Sequence, residues 1–459
     1  MKPMEPVLKG KHILIMGLGR SGLTAARFAA GRGAHVTVTD AARAPIAGPA
    51  MDDLRALGVE LALGGHPESI FAHTDLIVLS PGVPHTLAPL ERARRQGIAV
   101  VGEMELAARF ITAPVVAVTG TNGKTTTTEL VGQMLAASGQ RVFVGGNIGT
   151  PLIGFVDRPV PVDTVVAEVS SFQLDTMERF KPAVAVLLNI TEDHLDRYAD
   201  FEAYAASKAR IFMNQTRTDT AVFNAGDPRI QALVQTLPAV SLPFFHDDGA
   251  TLTKGHPGAR IQADRIRIVN AAGQSEEISL ARSTLCGGHN RENIAAAALA
   301  ALAAGATRTG IQAVVDRFTG LSHRLETVAT VAGVTYVDDS KATNVDAVVR
   351  AIDAFEAPLV LILGGRDKGG DYRVLTDRIC GRVRHLILMG EAADRIEQAL
   401  GSLVPTHRVA DMAQAVARAK ASAEVGDVVL LSPACASFDM YDSYTQRGED
   451  FRKRVGERT

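Results

Sequence analysis

Ten short segments, HILIMG, HVTVTD, LIVLS, VVAVTG, VVAEVS, AVAVLLNIT, VTYVDD, LVLILGG, HLILMG and VVLLSPA, recur along the chain with helical patterns between them. Most are apolar throughout rather than at alternate positions. A strand that is apolar on both faces must be covered on both, which means a parallel sheet flanked by helices. The expectation is an α/β chain. Glycine or a polar residue follows most of these segments, and in open parallel sheets ligands lie beyond the carboxyl ends of the strands. Chemistry is therefore to be sought just past each strand.

With 459 residues, the chain has room for about three domains at ~150 residues each. The first series of βα units ends near Val101 and Gly102, and a glycine-rich turn opens the second. Residues 241–285 lose the parallel pattern, and ARIQADRIRIV alternates polar with apolar. This predicts a small antiparallel excursion in an otherwise mostly parallel sheet. FTGLSHR, residues 318–324, reads as the hinge into a third block. The expected domains are 1–102, 103–319 and 320–459.

The sharpest local signal is VVAVTGTNGKTTTTELV, residues 115–131, where an apolar strand runs into a glycine-rich turn, a lysine and a helix. The backbone N–H groups of such a turn and the positive end of the new helix face an anion. Gly120 and Gly123 let the backbone, with Thr121 and Asn122 between them, close around phosphate oxygens. Lys124 can reach the terminal phosphates, Thr125 can offer its hydroxyl to Mg²⁺, and Lys-Thr-Thr opens the helix, with Thr126 among the residues expected at ATP. This reads as an ATP site of P-loop type, although its spacing is GxxGKT and Val118 stands where GxxxxGK[ST] has its first glycine.

The strand TVVAEVSS brings Glu168 to a carboxyl end, where a second Mg²⁺ ligand is expected. The strand AVAVLLNIT then delivers Asp193 and His194 to the same sheet edge. In FEAYAASKARIF, residues 201–212, Lys208 falls on the apolar face with Phe201, Tyr204, Ala205, Ile211 and Phe212. An inward lysine either snorkels to solvent or serves a buried site as a cation or modified ligand.

The first block opens with GLGRSG, residues 17–22, after a strand, and Asp40 ends the next. This matches the GxGxxG fingerprint, which alone would point to NAD. The loop physics requires only a diphosphate near the backbone, so any nucleoside diphosphate conjugate satisfies it. A tight turn without a ligand is the other reading. In GGHNRENIAAAALAA, Asn290 either caps the alanine-rich helix or contacts a base or ribose. VDDSKATN, GGRDKGG and SPACASFDMYDSY each follow a strand, so Asp339, Lys341, Thr343, Lys368, Ser437 and Tyr444 can gather at one edge. Two lysines with hydroxyl donors suit a small dicarboxylate, whereas Asp339 suits a ribose or an amine.

Charge is balanced, with 48 Lys and Arg against 50 Asp and Glu. A general nucleic-acid or membrane-surface role is not indicated. Cys286, Cys380 and Cys435 are scattered, which suggests reduced thiols rather than a disulfide framework. MKPMEPVLKGK runs into the first strand with neither an apolar signal region nor a cleavage site. IAAAALAALAAGA is too short and alanine-rich to span a bilayer. The expectation is a soluble, cytoplasmic protein with no membrane insertion.

TGTNGKTT, EVSSFQL, NITEDHLDRY, GGHNRENIAAA, SHRLE, DDSKATN, GGRDKGG and SPACASFD, in this order, resemble the motifs of the Mur ligases of peptidoglycan synthesis. DDSKATN and SPACASFD point to the glutamate-adding branch. The resemblance implies a Rossmann-like domain for a UDP moiety, a central ATPase and a C-terminal dinucleotide-fold-like domain that brings the amino acid. It implies a monomer acting on ATP, UDP-N-acetylmuramoyl-L-alanine and D-glutamate, with the GLGRSG turn (Gly19, Arg20, Ser21) and Asp40 at the UDP. Thr125 and Glu168 would bind one Mg²⁺, and His194 and a carbamylated Lys208 a second. Asn147, Ser170, Gln173 and His194 would line the muramoyl path, while Asn290, Arg324 and Asp339 would hold ATP. Lys341, Thr343, Lys368, Ser437 and Tyr444 would hold D-glutamate. Folylpolyglutamate synthetase, which should lack the UDP-type domain, and a non-enzymatic nucleotide switch stay open as alternatives.

Overall fold

A computed structural model describes residues 7–43, 49–193, 197–247, 257–270, 272–285 and 287–457. His194 and Cys286 lie outside the described residues. The chain forms three α/β domains, each built on its own sheet. By internal packing it divides into two units: residues 1–189, 202–279 and 294–314, and residues 190–201, 280–293 and 315–459.

The first unit holds two sheets. Five parallel strands follow the order Glu60–Leu63, His35–Asp40, His12–Met16, Leu76–Leu79, Ala99–Gly102. This is a doubly wound order, with the strand order reversing beside His12–Met16, where the GLGRSG turn emerges. In the second sheet the phosphate-loop strand Val115–Thr119 lies between Thr164–Glu168 and Val184–Leu187, all parallel. Every residue of Val115–Thr119 and Thr164–Glu168 is buried, as strands covered on both faces require.

The antiparallel excursion is present but narrower than 241–285. Val240–His246 still runs parallel to Thr220–Asn224 and to Gly258–Ile261. Only the pairs among Gly258–Ile261, Arg265–Val269 and Ser275–Ser279 are antiparallel. Exposure decides the difference: Arg265–Val269 alternates exposed and buried side chains, and Ser275–Ser279 buries one residue. The alanine run is buried at every position from Ile294 to Ala301. A helix apolar all round belongs inside a core.

Helix Arg20–Gly31 packs on Leu152–Asp157 and so joins the first two domains. There Arg27 donates twice to Asp157, at 3.1 and 2.8 Å, and the Arg32 guanidinium lies 3.8 Å from the Phe28 ring centre. In the second unit the sheet order is Glu326–Val331, Val334–Asp338, Val428–Leu431, Leu359–Gly364, Val383–Met389, Thr406–Arg408, with only the first pair antiparallel. All six residues of Leu359–Gly364 are buried. Among the described residues no helix is long and apolar enough to cross a membrane.

Candidate active site

Three adjacent strands of the central sheet end at the phosphate loop. Gly120 at φ 155° and Gly123 at φ 85° occupy backbone states that favour glycine, and helix Lys124–Ala137 starts at once. A side chain at Gly120 would come within 3.0 Å of Leu188 Cβ. From the next strand, Asn189 fixes the turn: its carbonyl accepts from Thr121 N–H at 2.9 Å, and its amide exchanges bonds of 2.9 and 3.0 Å with the Asn122 backbone. Sequence reading passed over Asn189, the first residue of NITEDHLDRY, because the motif does not display which backbone groups lie beside it. Lys124 Nζ donates to the carbonyls of Gly120 (2.9 Å) and Thr121 (2.8 Å). Thr125 and Thr126 are both buried.

On the other side of this strand, Glu168 pairs in register with Val118 and is 2 % exposed. Its Oε1 accepts from Asn147 Nδ2 at 2.8 Å, while Oε2 has no hydrogen-bond partner among the described residues. A buried carboxylate oxygen left unpaired is costly, and a cation is the natural partner. Mg²⁺ takes hard oxygen ligands, so the Glu168 carboxylate and the Thr125 hydroxyl are of the type that fits that ion.

Lys208 points inward as its spacing predicts. It is 1 % exposed and donates to the Gly120 carbonyl at 2.9 Å. Tyr204, one turn earlier, meets the Thr121 hydroxyl at 3.1 Å. The helix covers Phe201–Ala209 and tightens to a 3₁₀ turn over Arg210–Phe212. Ser170 and Gln173 form a capping box, with Ser170 N–H donating to Gln173 Oε1 at 2.9 Å and Gln173 N–H to Ser170 Oγ at 3.3 Å. They therefore stiffen the start of the helix that follows Glu168.

In the first sheet, Gly17 turns at φ 89° and helix Arg20–Gly31 begins after Gly19. A Cβ at Gly22 would lie 1.9 Å from the Gly17 carbonyl, so glycine permits the close strand-to-helix contact. Asp40 accepts from Leu18 N–H at 2.7 Å and from Ala42 N–H at 2.8 Å, each on a different oxygen. Arg20 is exposed and Ser21 half-buried.

The second unit gathers the remaining groups. A cavity of about 220 Å³ is lined by Asp193, Asn344, Lys368, Gly369 and Ala434. Asp193 accepts from Asn344 Nδ2 at 3.0 Å, and Lys368 Nζ lies 3.9 Å from its other oxygen. Asp339 is buried, accepts from Ser432 Oγ at 2.8 Å, and burial pushes its carboxyl up to about 7, with Arg324 opposing. Arg324 itself sits between His323 and Leu325, two non-glycine residues at φ 63° and 44°. Such backbone is strained, and here it is held: His323 Nδ1 meets Asp338 at 2.7 Å and Leu325 N–H donates to Asp339 at 3.3 Å. Lys341 Nζ lies 5.2 Å from the Tyr444 ring centre, its backbone N–H donates to the His323 carbonyl, Thr343 is half-buried and Ser437 is buried. Asn290 lies inside the first turn of helix Gly288–Ala303 rather than at its cap, and its Oδ1 accepts from Asn293 at 3.3 Å. Cys380 and Cys435 are free thiols, and burial raises that of Cys435 to about 11.

Models of protein families match along the chain: the Mur ligase MurD-like N-terminal domain over residues 11–102, the Mur ligase middle domain over 118–301, and the Mur ligase glutamate ligase domain over 323–435. The UDP-N-acetylmuramoylalanine–D-glutamate ligase of Desulfosudis oleivorans is 53% identical over 455 residues, covering 99% of this chain and 98% of that protein. Among solved structures, a pseudomurein peptide ligase type C from Methanothermus fervidus has a TM-score of 0.63 at 19% identity, covering 97% of this chain and all of the other. The MurF ligase of Thermotoga maritima, solved in complex with ADP, has a TM-score of 0.61 at 17% identity and covers 99% of this chain and 100% of its own. At these identities the two structures speak for the fold alone.

Proposed function

The chain belongs to the Mur ligase family, and from that premise we infer that it is the ATP-dependent ligase joining D-glutamate to UDP-N-acetylmuramoyl-L-alanine. ADP and phosphate are released, and the product serves peptidoglycan precursor synthesis. The observation that supports this most is that Lys124 and Lys208 both donate to the Gly120 carbonyl, while Glu168, in register with Val118 of the strand that enters this turn, is buried with a second oxygen that has no partner among the described residues. The match over residues 11–102 weighs against folylpolyglutamate synthetase, for which a UDP-type domain has no use. A nucleotide switch leaves the lysine-bearing third domain without a ligand.

We assign residues 1–102 to the UDP end, 103–319 to ATP and 320–459 to the amino acid. Gly19, Arg20 and Ser21 present the diphosphate-binding turn, which Asp40 braces through Leu18 and Ala42. Asn147, Ser170, Gln173 and His194 line the muramoyl chain. The loop Gly120–Thr126 with Lys124 cradles the ATP phosphates, and Asn290, Arg324 and Asp339 hold the rest of the nucleotide. Lys341, Thr343, Lys368, Ser437 and Tyr444 take the two carboxylates of glutamate.

Thr125, Glu168, His194 and Lys208, the last as its carbamate, would hold two Mg²⁺ ions, which supply charge neutralisation for phosphoryl transfer. The L-alanyl carboxylate attacks the γ-phosphate of ATP, ADP leaves, and an acyl phosphate forms. Lys124 offsets the charge that develops on the transferred group. The amine of D-glutamate, having given its proton to His194 or Asp193, attacks the acyl carbon and expels phosphate. The substrates are soluble and intracellular, so the enzyme works in the cytoplasm, as a monomer.

Omitting one reactant at a time tests the reading. ADP should appear only when ATP, Mg²⁺, the UDP-linked acceptor and D-glutamate are all present. Turnover with folate and L-glutamate, or ATP binding without amino-acid-dependent turnover, would replace it.

A further inference from the structure

Among the described residues the largest fully buried side chain is an arginine, Arg447, in the first turn of helix Tyr444–Gly456. Among the described residues no carboxylate pairs with it. Its guanidinium is spent on one hydroxyl and on backbone carbonyls: Nε donates to Ser340 Oγ at 3.0 Å, and Nη2 to the Ser340 carbonyl at 2.8 Å and the Cys435 carbonyl at 3.1 Å. Nη1 makes longer contacts, 3.4 Å to the Ala436 carbonyl and 3.5 Å to that of Gly364. Burial pulls its pKa down to about 10. Desolvating a guanidinium is costly, and without a direct ion pair the cost is offset by these bonds and, through space, by Asp439 and Asp338.

The acceptors identify the purpose. Ser340 separates Asp339 from Lys341, Cys435 and Ala436 immediately precede Ser437, and Gly364 opens the turn that carries Lys368. They fall on three segments: Ser340 after strand Val334–Asp338, Cys435 and Ala436 after Val428–Leu431, and Gly364 at the end of Leu359–Gly364, three adjacent parallel strands. One planar fork thus fixes the mutual spacing of the loops assigned to the amino-acid carboxylates. The same helical turn completes the brace: Ser340 Oγ donates to the Tyr444 carbonyl at 2.8 Å, and Gly448 leaves the room that His323 and Asp338 occupy, since a Cβ there would lie 2.2 Å from His323 Nδ1. The cation also sits behind a site that must attract a dianion, where opposite charge is favoured.

We propose that Arg447 is a positioning residue for amino-acid recognition, holding Lys341, Lys368 and Ser437 at the separation that two carboxylates require. The inference rests on the ligase reading above. A lysine has one point charge and no fork, so it cannot hold three loops at once.

The test compares the full-length wild-type enzyme with Arg447→Lys and Ser340→Ala, each checked for native circular dichroism and melting. Initial rates are measured against D-glutamate, ATP and the UDP-linked acceptor in turn. For Arg447→Lys the expected result is a KM for D-glutamate raised about tenfold or more, which corresponds to ~1.4 kcal/mol of lost recognition. The KM values for ATP and acceptor should move less than about twofold, within the change of a site left intact. Ser340→Ala, which removes one acceptor from the fork, should shift the D-glutamate KM in the same direction by a smaller factor. Folded variants with an unchanged D-glutamate KM, or with all three KM values rising together, overturn the proposal. A wild-type enzyme inactive with the full reactant set overturns the ligase reading and this inference with it, whereas an active wild type with an unaltered Arg447→Lys overturns this inference alone.

Discussion

Lys208 Nζ donates to the carbonyl of Gly120 at 2.9 Å, which ties a helix from one part of the central domain to the turn we propose for the phosphates. Lysine is an odd choice beside cations, because a bare ammonium repels Mg²⁺ whereas its carbamate offers oxygen ligands. Carbamylation joins the neutral amine to CO₂ with loss of one proton. Lys208→Ala should therefore lower kcat by about a thousandfold or more, the scale of a lost electrostatic group in a buried site. Short carboxylates such as formate should restore part of the rate. Full activity of the alanine variant, or a dead variant that no carboxylate revives, contradicts the carbamate.

Glu168 binds Asn147 through one oxygen, and its other, in a 2 % exposed position, has no partner among the described residues. Glu168→Gln keeps the volume and removes the charge. Mn²⁺ serves as a spectroscopic probe for the divalent site. Titration by electron paramagnetic resonance in the presence of ADP should show at least about tenfold weaker binding, as loss of a charged ligand implies. An unaltered titration would remove Glu168 from the metal site.

Glu103, at the start of helix Glu103–Ala108, is 1 % exposed, and burial raises its carboxyl from 4.5 to about 7, with the Ile153 backbone N–H opposing. In the unfolded chain this group ionises near 4.5, while in the folded chain it keeps its proton up to about 7. Between these values the folded state holds more protons, so stability falls as pH rises through the window. Glu103→Gln removes that slope. The variant should match the wild type near pH 4 and exceed it at pH 8 by at most ~3 kcal/mol. Urea melts at both pH values check this, and equal stability differences at the two would refute it.

Strands were the most legible part of the chain because both-face burial leaves a continuous apolar record, as in VVAVTG and LVLILGG. Short or polar edge strands such as Thr406–Arg408 and Glu326–Val331 left none, since their exposed sides carry ordinary polar residues. The phosphate loop, Glu168 and Lys208 could be placed from spacing alone because each follows a strand or sits on a helical stripe. Asn189 and Arg447 could not. Their importance lies in backbone groups that they satisfy across long sequence separations, and a sequence does not display which carbonyls lie nearby. The capping box of Ser170 and Gln173 was likewise visible as a motif, but the positions drew attention for the substrate rather than for the helix that they start.

The central claim is that the acceptor carboxylate is activated by direct attack on the γ-phosphate of ATP. Oxygen-18 placed in the L-alanyl carboxylate of UDP-N-acetylmuramoyl-L-alanine tests it. Turnover with ATP, Mg²⁺ and D-glutamate should carry one labelled oxygen into the released inorganic phosphate for each amide formed, measured by mass spectrometry. Amide formation that leaves the phosphate unlabelled would contradict the account.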